Sequence, residues 1–225
     1  MIVSIHQPQY LPWLGYFDKI DRADVFVLLD NVQFKKNEWQ NRNRIKTAQG
    51  PQWLTVPVQY KFPQRIHEVE INNQERWQHR QRQAIVSNYR KAPFWTMLDD
   101  FFEEIFSKPW PMISDLNIFV VKRLATILGI STPVYIASEL SEFPEDPDER
   151  LVAITRLLGA DTYLAGSGGH DYMNPVIYEE AGIQVMFQDY KHPVYSQLFG
   201  QYEPYLSVID LIFNHGPDSL AILRG

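Results

Sequence analysis

His6 closes the first apolar run, Ile2-Val3-Ser4-Ile5, and opens the polar break His6-Gln7-Pro8-Gln9-Tyr10-Leu11-Pro12-Trp13. A histidine at the end of a strand, set among amides and rings, suits proton acceptance or hydrogen bonding to a ligand. A second break, Asp30-Asn31-Val32-Gln33-Phe34, follows the apolar run Val25 to Leu29. A third is Gly166-Ser167-Gly168-Gly169, with His170-Asp171 directly after it. Backbone amides of a glycine turn at a helix start suit an anion, although this spacing matches neither the P-loop nor the dinucleotide fingerprint. His6, His170 and Asp171 are the expected proton-transfer groups. Gln7, Tyr10, Trp13, Asn31, Gln33, Gly166, Ser167 and Gly168 are expected to bind substrate around them.

Two further stretches join this set. Gln40-Asn41-Arg42-Asn43-Arg44-Ile45-Lys46 is dense in amides and, with Lys35 and Lys36, is the most positive part of the chain. Asn41, Arg42, Arg44 and Lys46 could hold phosphate or carboxylate, for which the planar guanidinium is well shaped; a solvated loop is the plain alternative. Gln188-Asp189-Tyr190-Lys191-His192-Pro193 repeats the polar, aromatic, proline-broken style of the first turn, which adds Asp189, Tyr190 and His192. Most of the aromatic residues are expected in the core.

These residues need a frame. Buried strands at 2–5 and 25–29, joined by a crossover too short for more than two helical turns, suggest a parallel βαβ unit. In open parallel sheets the ligand crevice lies outside the carboxyl ends of the strands, where His6-Gln7 and Asp30-Asn31 stand. Trp53 to Val58 and the alternating Arg65 to Ile71 read as strands. A largely helical middle, about 74–130, is expected to bury Trp77, Ile85 and Tyr89 and to end at Gly129. Strands at 133–137, 162–165 and 184–187 then alternate with helices, one of which carries the stripe Leu151, Ile154, Leu157 and Leu158. The expected architecture is one α/β domain over 1–225, a mostly parallel Rossmann-like sheet with flanking helices.

Composition narrows the chemistry. The 225 residues contain no cysteine, which removes disulfides, thiolate metal sites and cysteine nucleophiles. Six histidines without i,i+4 pairing give no reason to expect a metal site. A net charge of −6 argues against nucleic acid as the partner. No basic leader precedes the first strand and no apolar run is long enough to span a bilayer, so a cytoplasmic protein is expected.

The chain resembles the WbqC-like protein family nearly end to end. The likeness rests on His6-Gln7-Pro8 with Tyr10-Leu11-Pro12-Trp13, on Asp30 to Phe34, on Gln40 to Lys46, and on Phe187-Gln188-Asp189-Tyr190 and Phe213-Asn214-His215-Gly216. It implies a bacterial protein of O-antigen or other surface-polysaccharide biosynthesis, a transferase or ligase placing an acyl or aminoacyl group on a nucleotide-linked amino sugar. A glycan- or nucleotide-binding protein without chemistry is the alternative, and no cofactor is implied. The opening is also similar to pantothenate synthetase, whose His-x-Gly-His signature is Trp13-Leu14-Gly15-Tyr16 here, keeping only the glycine.

Overall fold

The computed structural model describes residues 1–225. In chain order, β1 (Ile2–His6), α1 (Leu14–Asp21) and β2 (Val25–Leu28) form the first βαβ unit. Two small antiparallel pairs follow: β3 (Arg42–Thr47) with β4 (Gly50–Thr55), and β5 (Val58–Gln59) with β6 (Glu70–Ile71). The helical middle is α2 (Trp77–Tyr89), α3 (Asp99–Phe106) and α4 (Ile113–Leu128). The α/β rhythm resumes with β7 (Val134–Ile136), α5 (Ala137–Leu140), α6 (Pro147–Leu157), β8 (Thr162–Ala165), α7 (Pro175–Glu180) and β9 (Gln184–Phe187). Helices α8 (Val208–His215) and α9 (Ser219–Arg224) complete it.

The central sheet has the order β7-β2-β1-β8-β9, and all four pairings are parallel. The chain builds outward from β1 through β2 to β7, then returns to the other side of β1 with β8 and β9. The strand order therefore reverses between β1 and β8, where a crevice opens in sheets of this kind.

Alternation along the strands assigns the two faces. Val3, Ile5 and Val27 pack with Val152, Ile154 and Tyr178 under α6 and α7. Phe26 and Leu28 face the larger core with Tyr16, Phe17 and Ile20 of α1 and with apolar residues of α2, α4 and α8. Trp77, Ile85 and Tyr89 are buried on α2, and Gly129 ends α4 at φ 82°.

Residues 42–47 are a strand, which sets aside the plain alternative of a solvated loop: Asn43 and Ile45 turn inward, and Asn43 donates to the Leu11 carbonyl at 2.7 Å. Two expectations need correction. Residues 66–68 form a 3₁₀ turn, leaving β6 only two residues of strand. On α6, Ile154 is buried and Leu151 and Leu158 pack against the core as the stripe requires, but Leu157 is exposed, and Val152 and Thr155 are buried in addition.

Candidate functional site

At the carboxyl ends of β1, β2 and β8 lies a cleft of about 340 Å³, within the size range of small-molecule sites. Ile5, His6 and Gln7 supply one wall, Leu29 and Val32 a second, and Pro147, Arg150 and Leu151 of α6 a third. Tyr163 of β8 and Tyr172, just past the glycine turn, complete it. Register brings the turn to this rim: two residues beyond the Ser4–Leu164 pair stand His6 on one strand and Gly166 on the next.

Strand parity turns His6 to the α1 side, where its ring meets Tyr16 edge-on at 4.9 Å and Nδ1 lies 3.1 Å from the Gln7 carbonyl. Burial, and then the nearby Lys19 charge, lower its pKa to about 3, against a smaller opposing effect of the Gln7 carbonyl. The imidazole is neutral at ordinary pH and a poor proton acceptor, which removes the main reason for expecting His6 to act as a general base. Lys19 is itself buried and bonds only the Ile5 carbonyl; burial lowers its pKa to about 7. Sequence reading passed over Lys19, although its place between Phe17 and Ile20 on an otherwise inward-facing helix was a usable signal.

Gln7 is fixed from two sides. Its Oε1 accepts from Gln40 Nε2 at 2.7 Å, and its carbonyl accepts from Tyr16 Oη at 3.0 Å. Arg150 donates to the Pro144 and Glu145 carbonyls at 2.9 and 2.8 Å, which holds its guanidinium in the cleft wall. The first-turn amides of α6 are already taken by the Asp146 carboxylate, so that helix start offers an anion little.

The glycine turn is a 3₁₀ segment, Ser167–Asp171. Gly169 is required by packing, since a Cβ there would sit 2.8 Å from Met173 Sδ and 3.0 Å from Phe187 Cε1. Gly166 and Gly168 have no such reason: neither has positive φ, and a Cβ at either would meet nothing within 4 Å. Ser167, His170 and Asp171 are exposed, and the His170 ring stacks on Phe187 at 3.4 Å.

The other expected residues divide. Asn31 is half-buried beside the cleft residue Val32, with Oδ1 unpartnered, and Gln33 is exposed and bridged to Arg65. Tyr10 has no exposed surface and donates to Gln81 Oε1 at 2.6 Å, so it is core and cannot touch a ligand in this fold. Asn41 ties the Val56 carbonyl to the Asn37 amide. Lys46 is buried, donating to Gln197 Oε1 at 3.0 Å and to the Gln201 carbonyl. Asn41 and Lys46 are thus structural, because burial obliges each polar group to be satisfied internally.

Trp13, Tyr190 and His192 meet in an aromatic cluster that includes no wall of the cleft. Trp13 lies 5.7 Å from Tyr190 and stacks on His192 at 6.1 Å. Both His192 nitrogens are engaged, Nδ1 with Tyr202 Oη at 2.7 Å and Nε2 with the Tyr205 amide at 3.3 Å. Burial lowers its pKa, so it packs as a neutral ring. Asp189 is exposed. Arg42 and Arg44 project from β3 over Trp53, 4.3 and 5.7 Å from its ring centre, outside the cleft.

The cleft combines apolar walls, two tyrosine rings, one guanidinium, one amide and a neutral imidazole, with no carboxylate lining it. Nowhere do three His, Asp or Glu side chains group as a metal ion would need. Such a lining suits a ring-bearing anion. No helix is long and apolar enough to cross a membrane.

Fold and cleft together define an α/β protein with a cleft at the switch point of a parallel sheet. The chain belongs to the WbqC-like protein family, which matches residues 7–222. An uncharacterized protein of Mycobacterium tuberculosis (strain ATCC 25618 / H37Rv), Rv1507c, is 36% identical over 226 residues, covering 99% of this chain and 97% of its own. No solved structure matches.

Proposed function

We propose that the cleft between β1 and β8 binds a nucleotide-linked amino sugar and that the protein is a transferase or ligase acylating the sugar amine in surface-polysaccharide biosynthesis. The observation that carries the binding half is the reversal of strand order between β1 and β8 with a cleft at their carboxyl ends. Tyr163 and Tyr172 would pack against rings of the ligand, Arg150 would face its phosphates, and the open side of Gly166 and Gly168 would admit close approach of the ligand to backbone. The acyl-transfer half rests on the resemblance in sequence. With His6 neutral and weakly basic, proton acceptance from the attacking amine falls to His170 or Asp171 on the glycine turn.

A second reading, binding without chemistry, is favoured by one observation: the cleft lining holds no carboxylate, and its only imidazole is a poor base. Purified protein incubated with nucleotide amino sugars and acyl or aminoacyl donors separates the two. Acyl transfer predicts a mass shift on the sugar that is lost in His170→Ala with Asp171→Asn. Saturable binding with no new mass under any donor supports the binding module. No binding to the wild type, or binding unchanged by Gly166→Leu, would remove the cleft from either role.

A further inference from the structure

Between Gln33 and Arg65 the chain carries seven cations and one carboxylate, Glu38, although its net charge is −6. Lys46 turns into the core, and Arg65 pairs with Glu145 at 2.9 Å. The other five, Lys35, Lys36, Arg42, Arg44 and Lys61, have no carboxylate within ion-pair distance. Arg42 and Arg44 stand on β3, and the strip beside it carries the lysines. Gln33 bridges Arg65 in antiparallel sense, and the Phe34 amide donates to the Gln64 carbonyl at 2.9 Å. Lys35 therefore follows directly beside the turn Lys61–Gln64, whose tip carries Phe62.

Three large apolar side chains stand out among these cations. Phe62 is 74% exposed, and Trp53 and Trp39, 43% and 36% exposed, lie 5.6 Å apart. Their base is firm: Phe34 is buried against Tyr60 at 5.1 Å, and Ile45 and Leu54 of the hairpin face the core. The Arg42 guanidinium lies over the Trp53 ring at 4.3 Å and Trp39 packs beside it. Ring edges are thus presented to solvent, and little open ring face is left for a base or a sugar to stack on. None of these side chains lines the cleft at the ends of β1, β2 and β8.

We infer that this surface docks on a membrane rich in anionic lipid, with Phe62, Trp39 and Trp53 at the headgroup boundary and Lys35, Lys36 and Lys61 against lipid phosphates. Unpaired cations are drawn to an acidic bilayer, each strengthening attachment about fivefold. Indole and phenyl groups settle where the headgroups meet the acyl chains, and an indole there needs no free ring face. A planar surface meets only this positive strip, whereas a flexible polyanion would also meet the negative remainder of the chain. Gln33 follows directly on Val32 of the cleft wall, so the docking surface adjoins the cleft. The inference does not rest on the chemistry proposed for that cleft.

The test sediments the full chain with sucrose-loaded vesicles of phosphatidylcholine alone and of equal parts phosphatidylcholine and phosphatidylglycerol. Binding is expected only to the acidic vesicles and should weaken as salt rises. Brominated acyl chains are expected to quench tryptophan fluorescence, and the quenching should be lost in Trp39→Tyr with Trp53→Tyr. Lys35→Gln with Lys36→Gln is expected to lower partitioning on the order of twentyfold, and Phe62→Ser about tenfold. All these positions are exposed, so an unchanged thermal midpoint is the check on folding. No binding of the wild type to acidic vesicles, equal binding to neutral ones, or undiminished binding in the lysine variant would each overturn the assignment. Quenching that survives loss of both indoles, or tighter binding of a single-stranded oligonucleotide than of the vesicles, would do the same.

Discussion

Lys19 Nζ reaches the Ile5 carbonyl at 3.4 Å, one residue before His6, and no carboxylate comes within ion-pair distance of it. A buried ammonium with a single neutral acceptor is poorly solvated, and it in turn suppresses protonation of His6. The end of β1 therefore carries two nitrogen bases that both resist charge.

Stability should follow the Lys19 proton. Its pKa is 10.5 when unfolded and about 7 when folded, so between those values the unfolded chain binds the extra proton. Stability contributed by this group rises as pH climbs from about 7 towards 10.5, and the full cost applies below 7. Lys19→Met should stabilise the protein by roughly 2–4 kcal/mol at neutral pH and below, shrinking as pH rises. Urea melts of both proteins across this range provide the check; equal stability at acidic and alkaline pH would contradict it.

His6 should be silent where histidines ordinarily titrate. Its folded pKa of about 3 against 6.5 unfolded means that it destabilises the fold only as pH falls from 6.5 towards 3. The ring proton resonance assigned by His6→Gln should not move between about pH 5 and pH 8. In Lys19→Met its pKa should rise, since the neighbouring charge is gone, but stay low because burial is the larger cause. An inflection near the unfolded value in the wild type would restore His6 as a proton acceptor.

Gly166, on the glycine turn, and Gly15, on α1, should respond oppositely. Gly166→Ala has open space and an ordinary φ, so its stability should stay within about 0.5 kcal/mol of wild type while ligand affinity in the cleft falls. At Gly15 a Cβ would sit 2.2 Å from the Trp13 ring, so Gly15→Ala must displace the indole, at a cost of roughly 1–3 kcal/mol. Thermal unfolding and calorimetric titration distinguish the two; a destabilised Gly166→Ala would mark that glycine as structural.

Lys46 should matter for folding and not for phosphate. It belongs to a buried network in which Tyr89 and Tyr195 donate to the Asp210 carboxylate at 2.7 and 3.0 Å. Burial raises the Asp210 pKa, while the two hydroxyls and the Lys46 charge oppose that. Lys46→Met leaves a buried charge uncompensated and should cost roughly 3–5 kcal/mol, and Tyr89→Phe roughly 1–3. A Lys46→Met protein with unchanged denaturant midpoint and lost ligand binding would return this lysine to the substrate.

How much of this was legible depended on what each pattern had to encode. Strands at 162–165 and 184–187 were bounded to the residue, because each is a short apolar run set off by a glycine, Gly166 after the first and Gly182 before the second. The hairpin at 42–55 was not, because its inward positions include Asn43, an amide satisfied only by a carbonyl 32 residues away. Tyr10 and Lys46 looked like ligand groups for the same reason. Their partners, Gln81 and Gln197, lie far along the chain, and a polar side chain's neighbours cannot be read from its own segment.

Local sequence alone determined the α/β class, the positions of the principal strands and the placing of His6 and the glycine turn at strand ends, since hydrophobic period and turn chemistry are properties of neighbouring residues. Tertiary structure decided which strands became neighbours, and hence that His6 and Gly166 share a rim while Arg42, Trp13 and Lys46 belong to three other settings. It also decided protonation. The basicity of His6 and Lys19 depends on solvent exclusion by residues remote in the chain, which exists only once the sheet and α1 are packed together.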